Sequence, residues 1–396
     1  MVIGSLFIWK KVVAALNHCD TEKIPMYWCP WRTICFQDVA RSSLLIFLAL
    51  SQCSFLCYFF LLGTEPHILA QISLIGLATY LHVIVFLVIT ELILTVCTML
   101  SKCGVFTLVV RRITTNRHKL TLLSIFCAFI FIIAGIYETF TDPVYTHVSI
   151  PLKKLHFDEL RVALLSDLHI GPTVGRQRIE TIARLTNKLN PDIIAISGDL
   201  ADGFVENFGN AASPLCSLRA KYGVYFATGN HEYMHGNVEE WFTFLEVCNI
   251  TVLHNLQQRF RLTNGTDVCI AGADDLFAAK SRFPGHIMDP RKAVDGCRTN
   301  DIVVMLAHQP NAARLMLNDP AVNNKLDVIL SGHTHGGQMY FFIPIIYIMN
   351  AFTRGLYYYA ATDTYVYVSA GVNYFGPPIK ITGACEIIDI LLEPST

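Results

Sequence analysis

The sequence predicts an α/β domain preceded by a region of membrane-spanning helices. In residues 161–392, short apolar runs alternate with stretches of helical periodicity, which is typical of β-sheets covered by α-helices. In residues 42–137, the apolar runs are long enough to cross a bilayer. The length of 396 residues suggests about two structural units. We therefore expect a membrane region and a separately folded domain, joined by a linker at residues 138–160.

The membrane region is predicted to contain about three spans. Its apolar stretches are residues 43–62, 68–100 and 120–137, and about 20 apolar residues suffice for one span. The second stretch is longer than an ordinary span, so it forms either one long tilted helix or a span followed by a short interfacial piece. The N-terminal segment, residues 1–41, begins with an apolar run too short to cross a bilayer. That run is either an interfacial helix or the end of a further span.

The distribution of basic residues predicts the orientation of these spans. The segment before the first span and the loop between the second and third are rich in Lys and Arg, whereas residues 63–67 and 138–142 contain neither. Because basic loops stay in the cytoplasm, three spans place the C-terminal domain in a lumen or outside the cell. Sequons at Asn249 and Asn264 agree with this side. We expect a multi-pass membrane protein, and one span more or fewer would reverse the side.

Charge and cysteine content restrict the interpretation further. The net charge of −1 gives no reason to expect nucleic acid as a partner. The number of cysteines in the domain is odd, so they cannot all form disulfides within it, and we expect mostly small buried thiols. These cysteines are Cys216, Cys248, Cys269, Cys297 and Cys385.

Five predicted strands of the domain end in clusters of polar side chains, and helices are predicted to follow them, for example at residues 176–189 and 238–247. In α/β domains, functional sites form at the carboxyl ends of strands. We therefore expect these clusters to lie close together. They are Ser166-Asp167-Leu168-His169, Ser197-Gly198-Asp199, Thr228-Gly229-Asn230-His231-Glu232, His308-Gln309-Pro310 and Gly332-His333-Thr334-His335.

The side chains of these clusters suit divalent metal ions. Carboxylates, imidazoles and an amide oxygen fit Mn, Fe or Zn better than metals that prefer thiolates. The candidate ligands are too many for one tetrahedral site, but they fit two ions if one carboxylate bridges them. Two ions about 3.5–4 Å apart can hold a hydroxide between them and stabilise an in-line displacement at a phosphoester. The candidate ligands are Asp167, His169, Asp199, Asn230, His308, His333 and His335.

The order of these clusters resembles that of the calcineurin-like metallophosphoesterases. Asp-x-His, Gly-Asp, Gly-Asn-His-Glu, a single His and Gly-His-x-His follow one another here in that order. The resemblance implies a four-layer sandwich of two mixed sheets flanked by helices. It also implies an enzyme with two divalent metal ions that hydrolyses a phosphoester by attack of a metal-bridging hydroxide.

The resemblance further implies one ligand set for each ion and a carboxylate shared by both. The first set is Asp167, His169 and His335, the second is Asn230, His308 and His333, and the shared carboxylate is Asp199. His231 is the implied catalytic residue, which contacts the phosphate and protonates the leaving oxygen. Asp202 and Glu232 lie beside these clusters, and we expect them to support the ligands through hydrogen bonds.

Residues 340–349 form an uncharged apolar run directly after the double-histidine turn. This run is either an ordinary buried strand and helix, or an apolar lid that meets the bilayer or an acyl chain. The second interpretation gives the hypothesis that the substrate is a lipid-linked phosphodiester. The alternatives are a phosphoprotein or nucleotide phosphatase on the same site, and a non-catalytic membrane scaffold or receptor.

Overall fold

The computed structural model describes all residues except 20–29, 61–64, 105–106, 157–158, 235–236, 384 and 396. The chain divides into two compact units. The first comprises residues 1–57 and 69–136, and the second comprises residues 58–68 and 137–396.

The first unit is helical, and three of its helical segments are long and apolar enough to cross a membrane. These are Gln37–Leu56, Ile68–Lys102 and Arg117–Phe140. The long apolar stretch is one continuous helix, so the alternative of a span followed by a separate piece is wrong. The helices in this part of the chain are α1 (Val2–Cys19), α2 (Pro30–Cys53), α3 (Cys57–Phe60), α4 (Ile68–Lys102), α5 (Thr107–Thr115) and α6 (Arg117–Phe140).

Glu91, an acidic residue within the apolar helix α4, is neutralised by two cations of the same unit. Its carboxylate lies 2.6 Å from the Lys11 ammonium of α1 and 3.2 Å from the Arg117 guanidinium of α6. A charge in an apolar helix is costly unless it is paired. These ion pairs therefore tie α1, α4 and α6 together.

The second unit contains two six-stranded mixed sheets. The strand order is β1-β12-β2-β3-β4-β5 in the first sheet and β10-β11-β9-β8-β7-β6 in the second. All neighbouring pairs are parallel except β12–β2, β10–β11 and β6–β7. The strands are β1 (Val144–Leu152), β2 (Leu160–Leu165), β3 (Ile193–Ser197), β4 (Val224–Ala227), β5 (Ile250–Val252), β6 (Leu256–Arg261), β7 (Asp267–Gly272), β8 (Ile302–Leu306), β9 (Val328–Ser331), β10 (Gly355–Tyr359), β11 (Thr364–Val368) and β12 (Glu386–Pro394).

Helices cover the outer faces of both sheets. From β2 onward the helices are α7 (Arg176–Lys188), α8 (Val205–Ala212), α9 (His231–Met234), α10 (Val238–Val247), α11 (Ala278–Ser281), α12 (Pro290–Ala293), α13 (Pro310–Leu317), α14 (Pro320–Asn323) and α15 (Ile343–Met349), of which α15 is exposed and covers neither sheet. Short 3-10 helices lie at Ser54–Leu56, Ser213–Ser217, His335–Gly337 and Tyr340–Phe342.

Three buried apolar layers hold this unit together, because successive side chains of a strand point to opposite faces. The central layer joins the two sheets: Leu164 of β2 and Val304 of β8 are both part of it. On the outer face of the first sheet, Phe226 packs with side chains of α7, α8 and α10. On the outer face of the second sheet, Val303 packs with Met316 of α13. The expected four-layer sandwich of two mixed sheets is therefore confirmed.

The linker expected at residues 138–160 is wrong for most of that segment. Helix α6 continues to Phe140, and β1 (Val144–Leu152) pairs in parallel with β12 along its whole length. β1 is an edge strand whose first residues are exposed or half-buried, so its apolar signal is diluted. The pairing partner of β1 is β12, at the other end of the domain sequence, so no local sequence pattern predicts this pairing.

The expectation of mostly free buried thiols in the domain is also wrong. Cys216 is bonded to Cys248, and Cys269 is bonded to Cys297. Cys385 is the free, buried remainder. The odd number of cysteines excludes complete pairing, but it is compatible with two disulfides. Each disulfide joins residues about thirty positions apart, which only the fold brings together.

Candidate metal centre

The polar clusters meet because their strands are parallel neighbours. β2, β3 and β4 adjoin in the first sheet, and β8 and β9 adjoin in the second. Each strand therefore delivers the residues after it to the same edge of its sheet. The loops after these five strands carry all seven predicted ligands.

The turns that carry the ligands have unusual backbone conformations. Asp167, His169, Asp199, His333 and His335 all have positive φ, between 45° and 74°. Non-glycine residues seldom adopt this region, and such residues cluster at functional sites.

Two glycines allow the turns to approach one another closely. A Cβ atom on Gly332 would overlap the Ser166 side chain, and a Cβ on Gly229 would overlap Asp199. Any other residue at either position would therefore push two ligand-bearing turns apart.

The first predicted ligand set is brought together in the structure. The Nε2 atoms of His169 and His335 lie 3.1 Å apart, and the Asp167 Oδ1 atom lies 3.3 Å from His335 Nε2. All three residues are buried. One donor atom of each lies within 4.8 Å of the others, which is compatible with a common metal ion.

The second predicted set is also brought together. The His333 Nδ1 atom lies 2.9 Å from Asn230 Oδ1, and the His308 and His333 rings meet edge to face at 5.3 Å. His308 Nδ1 lies 2.8 Å from the carbonyl oxygen of Ser197. That carbonyl can only accept, so the His308 proton on this side is donated and Nε2 points toward the centre.

Asp199 lies between the two sets. Its Oδ2 atom is 3.0 Å from His308 Nε2 and 3.7 Å from His169 Nε2. The same oxygen lies 3.9 Å from His231 Nε2. One carboxylate therefore reaches a histidine of each set, as a bridging ligand must.

Asp202 and Glu232 support the turns through hydrogen bonds, as expected. Asp202 Oδ1 lies 2.8 Å from Nδ1 of both His169 and His231, which fixes the orientation of both rings. Glu232 accepts hydrogen bonds from the backbone N–H groups of Gly229, Leu200 and Asp199. Burial and the nearby Asp199 raise the pKa of Glu232 to about 7.

The buried carboxylates and neutral imidazole of the centre favour the binding of a cation. Asp167 and Asp199 are fully buried, and among the described residues neither forms an ion pair with Lys or Arg. Burial lowers the pKa of His333 to about 4, so this ring is a neutral electron-pair donor at neutral pH. Burial also raises the pKa of Asp199, but the combined effect of the surrounding histidines, chiefly His308 and His231, holds that pKa well below its usual range. Buried carboxylates facing nitrogen donors, without thiolates, fit borderline divalent ions.

Sequence reasoning missed an aromatic side chain at the mouth of the centre. The Phe375 ring lies 5.2 Å from the His169 ring and 4.7 Å from the His231 ring, and it is 40% exposed. Gln338 positions it by accepting a hydrogen bond from its backbone N–H. No sequence signal singles out this residue, because it follows β11 in a loop without regular structure.

Comparison with known proteins gives a consistent result. The calcineurin-like phosphoesterase profile matches residues 160–337. A Caenorhabditis elegans protein named as a candidate metallophosphoesterase is 53% identical over 91% of this chain and 75% of its own length. Proteins named transmembrane protein with metallophosphoesterase domain are 37% identical in Danio rerio and 34% identical in Bos taurus, each over 99% of this chain and 87% of the relative. With its two mixed sheets and its metal-suited strand ends, this chain therefore belongs to the calcineurin-like phosphoesterase family and is a metal-dependent phosphoesterase.

Proposed function

We propose that this protein hydrolyses phosphodiesters at a centre of two divalent ions, with the ligand sets that the family resemblance implies. The observation that carries the proposal is the position of Asp199, whose carboxylate lies within reach of His169 of one set and His308 of the other. When bound, divalent ions supply positive charge that neutralises the phosphoester and activates water.

The residues of the chain orient the donors and supply a proton. Asp202 holds the His169 and His231 rings through Nδ1, so that the Nε2 atoms of both point inward. His231 is not needed in either ligand set. Its Nε2 lies 3.9 Å from the shared carboxylate oxygen, beside the open edge at Phe375. From there it can donate a proton to the leaving oxygen.

Replacement of His333 by alanine tests the proposal directly. We expect the candidate metal centre of the purified full chain to bind two equivalents of Mn²⁺ and the protein to hydrolyse bis-p-nitrophenyl phosphate. The His333→Ala variant should bind one equivalent fewer and lose most of its turnover, since one ion loses a nitrogen donor. Two bound equivalents in the native protein without hydrolysis of any phosphomonoester, diester or lipid would favour a scaffold instead.

An exposed apolar surface beside the centre supports a lipid-linked substrate. The run at residues 340–349 forms a 3-10 turn and the helix α15, and none of its residues from 341 onward is buried. Ile348 is 84% exposed and Ile345 is 48% exposed. The interpretation of this run as an ordinary buried element is therefore wrong.

The same segment lines a small cavity close to the double-histidine turn. The cavity has a volume of about 190 Å³, and Gly336, Gly337, Tyr340 and Ile343 contribute to its wall. Gly336 follows the ligand His335 directly. An acyl or prenyl chain held against α15 would therefore keep its phosphate within the reach of the centre, and exposed apolar side chains favour contact with a bilayer.

Polar substitutions on α15 test this substrate class. The double variant Ile345→Ser and Ile348→Ser should lower the hydrolysis of a phosphodiester presented in vesicles by about tenfold or more, because two exposed apolar side chains no longer enter the bilayer. Hydrolysis of a soluble nitrophenyl diester should not change. Val247→Ser is the control, because Val247 at the end of α10 is an apolar residue that is 79% exposed. An unchanged ratio of vesicle to soluble turnover would contradict the lipid assignment.

We further propose that the phosphoesterase domain lies in a lumen or outside the cell. Both sequon asparagines are on the surface: Asn249 precedes β5 and Asn264 lies in the turn between β6 and β7. The domain also has two disulfides, which persist in oxidising compartments. These features agree with the side that the basic loops predict.

Glycosidase treatment of the protein expressed in animal cells measures this orientation. We expect two glycans, each lost separately in Asn249→Gln and Asn264→Gln, and protection of the domain from protease added to sealed microsomes. The disulfides should resist thiol alkylation until the protein is reduced. A glycan-free domain that is digested in sealed microsomes would place it in the cytoplasm.

A further inference from the structure

A second group of potential metal ligands lies outside the candidate metal centre and shares no residue with it. His254 lies between β5 and β6, Asp274 follows β7, and His286 lies in the segment between α11 and α12. One donor atom from each of these three residues lies within 4.8 Å of the others. We call this group the peripheral cluster.

The distances within the peripheral cluster suit a small ion. Asp274 Oδ1 lies 2.7 Å from His254 Nδ1, and Asp274 Oδ2 lies 3.7 Å from His286 Nδ1. In a tetrahedral zinc site with metal–ligand distances near 2.1 Å, ligands are about 3.4 Å apart. Small movements of the side chains would therefore bring the three donors to that spacing. The Tyr233 hydroxyl, 3.2 Å from His286 Nδ1, is a fourth oxygen at the same place.

Glu239 supplies the support that a metal-binding histidine ordinarily has. Its Oε1 atom lies 2.7 Å from His286 Nε2. The carboxylate accepts the proton of that nitrogen, which leaves His286 Nδ1 with an electron pair that can accept from the Tyr233 hydroxyl at 3.2 Å or bind an ion beside Asp274 Oδ2 at 3.7 Å. Histidine ligands of metals commonly donate their other N–H to a carboxylate in this way.

Protein contacts alone leave the peripheral cluster incompletely satisfied. Asp274 is 1% exposed, and its Oδ2 atom has no hydrogen-bond donor among the described residues. Among the described residues, Asp274 forms ion pairs with His254 and His286 and with no Lys or Arg. An unsatisfied buried carboxylate oxygen is costly, and a cation between the three donors would remove that cost. The Glu239 side chain is 66% exposed, so an ion can enter from solvent beside it.

We propose that the peripheral cluster binds a third divalent ion, of the zinc type, through His254, Asp274 and His286. This ion joins three segments that are distant in sequence. A chain of contacts connects this ion to the candidate metal centre. The Tyr233 hydroxyl beside His286 lies 3.2 Å from Thr228 Oγ1, and Thr228 Oγ1 accepts a hydrogen bond from the backbone N–H of Asp275. The third ion therefore stabilises the turn that carries Asn230.

Metal counting on the full chain in detergent tests the proposal. After removal of metal by chelation, titration with Zn²⁺ should give three equivalents for the native protein and two for His286→Ala. In the His333→Ala background, which impairs the candidate metal centre, the equivalent that depends on His286 should remain. This independence separates a failure of the peripheral cluster from a failure of the proposed function.

A milder variant keeps the test valid if His286→Ala does not fold. Glu239→Gln changes an exposed side chain and leaves every ligand in place, and it should weaken the binding of one equivalent by 10- to 100-fold. His147→Ala is the control, because His147 pairs with Asp389 at 2.8 Å and no third potential ligand joins them among the described residues. Its stoichiometry should remain three. A native stoichiometry of two, or three equivalents bound with equal affinity in both Glu239→Gln and His286→Ala, would overturn the proposal.

Discussion

Replacement of Asp199 by asparagine should lower phosphodiester turnover by about 1000-fold or more. The amide has one neutral oxygen in place of a carboxylate, so it cannot balance two cations at once. Loss of several kcal/mol of charge stabilisation in the transition state corresponds to a loss of that size. Turnover of a nitrophenyl diester and metal content by mass spectrometry measure the two consequences together.

The same variant has a distinctive effect on stability. In the native chain, Asp199 is buried and its negative charge is balanced by histidines. Its Oδ1 atom accepts the backbone N–H of His231 at 2.9 Å, and an asparagine oxygen can keep this bond. Without metal, the variant should nevertheless unfold at a lower temperature than the native protein, because His308 and His231 hold the pKa of Asp199 low and lose their buried counter-charge in the variant. The rise in Tm on adding Mn²⁺ should be smaller.

Asp389→Asn is a matched control for this experiment. Asp389 is also a buried carboxylate beside a histidine, His147, but it lies on β12 and away from the strand-end loops. Its substitution should leave turnover and metal content unchanged. If Asp199→Asn retained both ions and native turnover, Asp199 would not be the shared ligand, and the two-ion assignment would be wrong.

The candidate metal centre could be predicted because each candidate ligand lies within a few residues of the strand that positions it. Each ligand directly follows a buried strand such as β3 or β9, and parallel strands bring their carboxyl ends to one edge without further specification. The helix expected at residues 238–247 was confirmed at its exact bounds for the same reason. Hydrophobic periodicity and turn residues are sufficient to predict an element and its functional residues when both lie within about a dozen consecutive positions.

Features that depend on residues distant in sequence have no local sequence pattern that predicts them. The sequence predicts a linker where β1 forms, because the pairing partner of β1, β12, lies about 240 residues away. The partner of Cys269 could not be chosen among four others without the fold. Phe375 and the peripheral cluster also depend on loops that meet only in three dimensions. The exposure of α15 is also visible only in the structure, since an apolar run has the same composition whether it is buried or faces a membrane.

His231 provides the second large expected effect, and its test separates proton donation from metal binding. Replacement by glutamine should lower the hydrolysis of an alkyl phosphodiester by 10²- to 10⁴-fold, the usual contribution of a general acid. An alkoxide is a poor leaving group and needs the proton. A nitrophenolate leaves readily without one, so hydrolysis of the nitrophenyl diester should fall much less. The plot of rate against the pKa of the leaving group should become steeper in the variant.

We expect this substitution to leave the ions in place, although His231, His169 and Asp199 each have a donor atom within 4.8 Å of the others. The contact of His231 with Asp199 Oδ1 is made by its backbone N–H, which every variant retains. The His169 ring keeps its own bond to Asp202 at 2.8 Å when the His231 ring is removed. Metal content should therefore stay at the native value. Equal losses with alkyl and nitrophenyl substrates, or the loss of an ion, would show that His231 acts as a ligand or as a simple phosphate contact. A selective loss with the alkyl substrate requires a proton donor, and among the described residues His231 is the histidine at the centre that neither ligand set uses.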